Sequence, residues 1–210
     1  MPRRSFAGAG VALVTPFTTS GAVDEAALRR LVRRQIDGAI DVLVPCGTTG
    51  ESATMRAEEQ RRVIELTLQE SNGKVPVLAG TGSNDTRVAV EHSKAAASLG
   101  VQGVLCVGPY YNKPTSEGFF RHFATIADAV SVPVVVYNVP GRTGSNIDTK
   151  TLLRLAAHPN ITAVKEASGN FAQIMDLLRD RPQGFEVLSG DDATTLPMMA
   201  LSMVDSDQEA

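Results

Sequence analysis

Seven short runs of apolar, largely β-branched residues recur along the chain, separated by longer stretches in which apolar positions return every three or four residues. The runs fall at residues 10–15, 42–46, 75–79, 103–107, 132–137, 161–165 and 185–189. Successive runs lie 24 to 33 residues apart, the length of one strand, one helix and two loops. The intervening stretches carry helix punctuation. Asp24 precedes Ala27, Leu28, Leu31 and Val32; Thr54 opens a Glu/Gln/Arg run that stops at Asn72-Gly73; Asp85 opens a helix that stops at Gly100. Later helices are predicted to start at Ser116, Asp148 and Asn170. On the fourth, Phe119, Phe123, Ile126 and Val130 share one face, a stripe for packing against a sheet.

Alternating strand and helix make either a doubly wound sheet or a (β/α)8 TIM barrel. A dinucleotide-binding sheet opens with GxGxxG after its first strand. Here Gly8-Ala9-Gly10 precedes the strand, and Gly80-Thr81-Gly82 lacks the third glycine. Polar signatures instead follow almost every run, as expected when the C-terminal ends of all strands face one site. The barrel is the expected architecture, with seven βα units.

Composition narrows the function. Hydrophobic residues make up 43% of the 210 and charged residues 20%, the usage of a packed globular chain. A net charge of -3 without long runs of either sign gives no surface for nucleic acid or an anionic membrane. No apolar stretch approaches the roughly 20 residues of a membrane helix, and no signal-peptide segment follows Arg3-Arg4, so a cytoplasmic location is expected. Cys46 and Cys106 sit in apolar runs without CxxC spacing and read as buried thiols. His92, His122 and His158 stand apart on predicted helices, so no metal is expected.

The candidate chemistry gathers at strand ends. Lys165 closes an apolar strand, where alternation puts it on one side with Ile161, Ala163 and Ala167. Two readings stand: an amine made nucleophilic by desolvation, or a lysine that snorkels outward or pairs with Glu166. Thr48 and Thr49, in Gly47-Thr48-Thr49-Gly50-Glu51, offer hydroxyls beside amide donors, although such a turn is commonly just a turn. Tyr110, Tyr111 and Tyr137, all the tyrosines of the chain, follow the fourth and fifth strands, where phenols can relay protons. Arg142 offers a planar fork for a carboxylate, and Asp191-Asp192 reads as a helix cap rather than a catalytic pair.

Taken in order, Leu13-Val-Thr-Pro-Phe17, Gly47-Thr-Thr-Gly-Glu51, Pro109-Tyr-Tyr-Asn112, Tyr137-Asn-Val-Pro-Gly-Arg-Thr-Gly144, Lys165-Glu-Ala-Ser-Gly169 and Ser189-Gly-Asp-Asp192 resemble the dihydrodipicolinate synthase (4-hydroxy-tetrahydrodipicolinate synthase) family, within the N-acetylneuraminate lyase class I aldolases. The resemblance implies a lyase of lysine and diaminopimelate biosynthesis, without a cofactor, that condenses pyruvate with L-aspartate 4-semialdehyde. Lys165 would form the Schiff base, Tyr137 would move protons with Thr48 and Tyr111, and Tyr111 would reach across a dimer interface. Thr49 and the Gly190 backbone would shape the pyruvate site, and Arg142 would hold the carboxylate of the aldehyde. Arg142 and the Thr-Thr pair favour the synthase over a sister aldolase acting on N-acetylneuraminate or a 2-keto-3-deoxy sugar acid. The resemblance also implies a homo-oligomer, a dimer or tetramer.

Two departures qualify it. Where lysine-inhibited members place polar or charged regulatory residues, this chain has Ala57, Gln60 and Val88, while Ser52, Asn84 and Tyr110 remain; weak or absent inhibition by lysine is expected. After Leu201 the family continues with an eighth strand, its helix and a C-terminal helical extension. The chain is therefore read as an incomplete barrel over residues 1–201 with a polar, non-native tail over 202–210, from a truncated copy that is either active or a non-catalytic remnant.

Overall fold

The computed structural model describes residues 6–205. Its seven strands are β1 (Gly10–Ala12), β2 (Val42–Val44), β3 (Leu78–Gly80), β4 (Gly103–Val107), β5 (Val134–Asn138), β6 (Ile161–Glu166) and β7 (Glu186–Ser189). The helices are α1 (Glu25–Asp37), α2 (Ala57–Ser71), α3 (Thr86–Ser98), α4 (Ser116–Ala129), the single turn α5 (Pro140–Thr143), α6 (Thr149–Ala156), α7 (Phe171–Asp180) and α8 (Asp192–Asp205). Every strand pair is parallel and neighbours follow chain order. β2 joins β3 through the Leu43–Val77 bridge and a hydrogen bond from Gly80 N to the Pro45 carbonyl at 2.9 Å. The chain has the (β/α)8 architecture with seven strand-helix units. Among the described residues β1 and β7 form no ladder, and the barrel is not closed. The backbone N–H of Phe6 reaches toward this seam and donates to Glu186 Oε2 at 2.9 Å.

Alternation divides the buried residues into two layers. Outward positions such as Leu43, Val104, Val136 and Val164 pack with Leu28, Val32, Phe119, Phe123 and Ile126 of the helices. Inward positions such as Val44, Leu78, Leu105, Val135 and Ala163 fill the lumen, with Phe6 at 2% exposure among them. The phenylalanine stripe of α4 belongs to the first layer, as its spacing predicts.

Asp24, Asp85, Asp148 and Asn170 each accept a backbone N–H in the first turn of the helix they precede, satisfying donors that the helix itself cannot. Several boundaries differ from the sequence reading. Thr54 closes a 3-10 turn, and α2 starts three residues later, where Glu59 folds back to accept the Arg56 N–H at 2.9 Å. β3 starts late, at Leu78, because the Val77 N–H is taken by the Gln102 side-chain oxygen at 2.8 Å instead of entering the ladder with β4. His158 lies past α6, bonded through Nε2 to Asp128 at 3.0 Å. Residues 202–205, read as tail, continue α8, since neither glycine nor proline follows Leu201 to stop the helix; residues 206–210 lie outside the described residues. No helix among the described residues is long and apolar enough to cross a membrane.

Candidate active site

The C-terminal ends of the strands surround a cavity of about 470 Å3. Thr48, Thr49, Tyr137, Arg142, Lys165 and Gly190 all line it, and Asp191 joins them. Tyr111 does not: it is 88% exposed, held at φ 70° on the loop after β4. No hydrogen bond links Tyr137 to Thr48 or Tyr111 among the described residues.

Lys165 and Tyr137 are register partners on β6 and β5, so both side chains leave their strands on the lumen side at one height. The lysine Nζ lies 4.7 Å from the centre of the Tyr137 ring. Burial holds the lysine below its ordinary pKa, with the Asp192 carboxylate working against this and the Arg142 guanidinium adding to it. Burial also raises the Tyr137 phenol, Arg142 opposing and Asp191 assisting. The pair is thus an amine with an enhanced neutral fraction facing a phenol that keeps its proton.

The neighbouring loops are built by backbone constraint. Thr48 and Thr49 occupy a turn closed by bonds from Gly50 N to Gly47 O and from Glu51 N to Thr48 O. A side chain at Gly50 would put its Cβ 2.9 Å from the Leu13 carbonyl oxygen, so glycine alone lets the turn lie against β1. Arg142 rides on α5, exposed and without a salt bridge among the described residues. Gly190 donates to the Glu166 carbonyl at 2.8 Å and lies against the lysine stem. Asp191 accepts the Ala193 N–H at 3.2 Å, the capping role read from sequence, while its position on the cavity wall was not foreseen.

One expectation about β6 needs correction, and one alternative falls. Ile161 does not share the side of Lys165. Val134 pairs with Ile161 but Val135 with Ala163, so Thr162 is an extra residue in a bulge, and Ile161 joins Val164 in the outer layer. Nor does Glu166 pair with Lys165. One residue further along the strand it points to the opposite face, fully buried, where it accepts from Asn138 Nδ2 at 3.0 Å and from Ser168 N at 2.6 Å. Its place at the end of a largely apolar strand, one step beyond the lysine, was the signal for this buried carboxylate.

A second cavity of about 440 Å3 opens beside the first, with Ser52, Gln60, Val88, Tyr110 and His92 on its wall. Cys46 and Cys106 are buried, and desolvation pushes their thiols up to about 12 and about 11. Among the described residues no group of three or more His, Cys, Asp or Glu side chains could hold a metal ion.

Comparison with known proteins agrees with this fold. The model of the dihydrodipicolinate synthetase family matches residues 5–205. The 4-hydroxy-tetrahydrodipicolinate synthase of Chloroherpeton thalassium is 55% identical over 202 residues, 96% of this chain and 67% of that protein. That of Koribacter versatilis is 56% identical over 198 residues, 94% of this chain and 66% of that protein. Among solved structures, the Aquifex aeolicus dihydrodipicolinate synthase superposes with a TM-score of 0.90 at 45% identity, covering 92% of this chain and 66% of that one. The chloride-inhibited Acinetobacter baumannii enzyme, complexed with pyruvate, gives 0.91 at 43% identity, covering 94% and 68%. The chain spans about two thirds of the length of the relatives it matches. It belongs to the dihydrodipicolinate synthetase family.

Proposed function

We propose that this chain is a Schiff-base lyase that joins pyruvate to L-aspartate 4-semialdehyde, giving 4-hydroxy-tetrahydrodipicolinate. The observation that carries the reading is the desolvated Lys165 amine facing the Tyr137 ring inside the cavity. The neutral amine adds to the C2 carbonyl of pyruvate, and the carbinolamine loses water to form an imine. Tyr137, still protonated, is suited to give the proton that leaves with that water and to take one back. Loss of a proton from C3 gives an enamine, which attacks the aldehyde carbon of the second substrate and forms the carbon-carbon bond. The amino group of that substrate then adds to C2 and displaces Lys165 as the ring closes.

In this reading Thr48 joins the proton transfers, Thr49 and the Gly190 backbone shape the pyruvate site, and Arg142 binds the semialdehyde carboxylate through its two-pronged guanidinium. Tyr111, exposed on its own chain, contributes to a neighbouring copy in a homo-oligomer, and the enzyme works in the cytoplasm. The barrel of residues 1–201 is the catalytic unit. The test is reduction with borohydride in the presence of pyruvate, followed by peptide mass analysis. A reduced pyruvate adduct on Lys165 is expected; an unlabelled protein, beside a labelled full-length relative, overturns the proposal.

A further inference from the structure

Behind the Lys165–Tyr137 pair lies a second pair that the chemistry above does not use. Asn138 and Glu166 are the next register partners on β5 and β6 and face the strand-helix layer, 1% and 0% exposed. A buried carboxylate is costly, and Glu166 makes no salt bridge among the described residues. Stability alone does not account for it. Its donors do: Asn138 Nδ2 donates to Glu166 Oε2 at 3.0 Å and Ser168 N donates to Oε1 at 2.6 Å.

Both Glu166 oxygens accept here, and Oε2 holds the Asn138 amide in one of its two orientations, with the NH2 toward Glu166. The amide oxygen is then aimed at the N–H of Ile147, which it accepts at 3.1 Å. Asn138 Nδ2 also donates to Asn146 Oδ1 at 2.9 Å, Asn146 passes a bond to Gln173 Oε1 at 2.7 Å, and Gln173 Nε2 donates to the Ile147 carbonyl at 3.1 Å. The segment from 139 to 147, which carries Arg142, is thereby tied at both ends to one buried network.

We propose that Asn138 and Glu166 are positioning residues, a rear clamp that sets Lys165 against Tyr137 and holds the Arg142 segment over the cavity, while Gln173 secures the segment alone. The inference rests on the Schiff-base reading for its kinetic consequences and on amide exchange for its structural ones. Glu166→Gln introduces a donor that permits the reversed Asn138 amide and loses the Ile147 bond. Gln173→Leu leaves the pair on the strands intact.

The experiment compares both variants with the parent protein by rate of borohydride trapping with pyruvate, half-saturating semialdehyde, hydrogen exchange at the Ser168 and Ile147 amides, and thermal unfolding. Glu166→Gln is expected to slow trapping about tenfold, as small misplacements of reacting groups do, and to speed exchange at both amides while unfolding stays cooperative. Gln173→Leu is expected to keep trapping within about twofold while half-saturating semialdehyde rises about fivefold or more. Parental trapping and exchange in Glu166→Gln overturn the clamp. So does a proportional fall of every parameter with melting temperature in both variants. If Glu166→Gln fails to fold, unchanged semialdehyde saturation in Gln173→Leu overturns it. If the parent protein itself forms no pyruvate adduct, the Schiff-base reading fails, and exchange at the two amides decides the clamp.

Discussion

Gly190→Ala puts a single methyl group where the lysine stem now lies. Its Cβ would stand 3.0 Å from Lys165 Cγ and Cε and from Ala167 Cβ, about half an ångström inside ordinary carbon-carbon contact. Gly190 is not among the positive-φ glycines, so the substitution adds no backbone strain, and the contact is the whole perturbation. Retreat of the backbone is opposed by the bond from Gly190 N to Glu166 O at 2.8 Å, and retreat of Ala167 by its bond to Asn138 O at 2.8 Å. The lysine stem is the member free to move. Overpacking of this kind costs about 1–3 kcal/mol. If most of that is expressed as misplacement of Nζ, imine formation slows about 10- to 100-fold, at about 1.4 kcal/mol per factor of ten. The assay is the rate of borohydride trapping with pyruvate, read beside the melting temperature. Gly141→Ala is the control on the same cavity wall, since beyond its chain neighbours and its own helix backbone nothing lies within 4 Å of its added Cβ. A Gly190→Ala protein that traps pyruvate at the parental rate would refute the placement of the amine described above. Gly80→Ala marks the other extreme, with its Cβ 2.1 Å from the Cys46 carbonyl oxygen; there the strands themselves are forced apart and the protein is expected not to fold.

Three further outcomes are expected. Arg142→Ala removes a positive charge that lowers Lys165, so the pH midpoint of trapping moves upward, and half-saturating semialdehyde rises in steady-state assays while pyruvate still labels the lysine. His122 is buried with its Nε2 unpartnered and its pKa lowered from 6.5 to about 4, chiefly by burial, with Asp85 opposing. Between those pH values the unfolded chain binds a proton that the folded one refuses, so stability falls on acidification by about 3 kcal/mol in all; denaturant titrations from pH 7 to pH 4 should show this, and His122→Gln should flatten it. Finally, the second cavity has Val88 and Gln60 on its wall, so lysine is expected to slow initial rates weakly or not at all, and clear inhibition at low lysine concentration would refute this.

The strands were legible because parallel barrel strands are buried on both faces and read as unbroken apolar runs. Helix starts were legible where an Asp or Asn caps them, and least so at Thr54, where a 3-10 turn and a folded-back Glu59 intervene. Lys165, Tyr137, Thr48, Thr49, Arg142 and Gly190 share one cavity because each ends a strand or begins the loop after it, a fact that follows from parallel topology alone. What escaped the sequence depends on tertiary register. Strict alternation cannot foresee a bulge, and so misplaces Ile161; nor can it tell that the carboxylate beside Lys165 finds its donors in Asn138 and the Ser168 amide rather than in the lysine.

The bulge in β6 has a consequence for how this strand tolerates change in length. Anywhere else in a regular strand, deleting one residue turns every side chain on one flank to the opposite face. Thr162 already occupies the surplus place, with its Oγ1 buried and unpartnered. Removing it would leave Ile161 outward, Ala163 inward, Val164 outward and Lys165 inward. A one-codon loss that would scramble any other strand of the barrel would here restore an even ladder and keep the amine where it is.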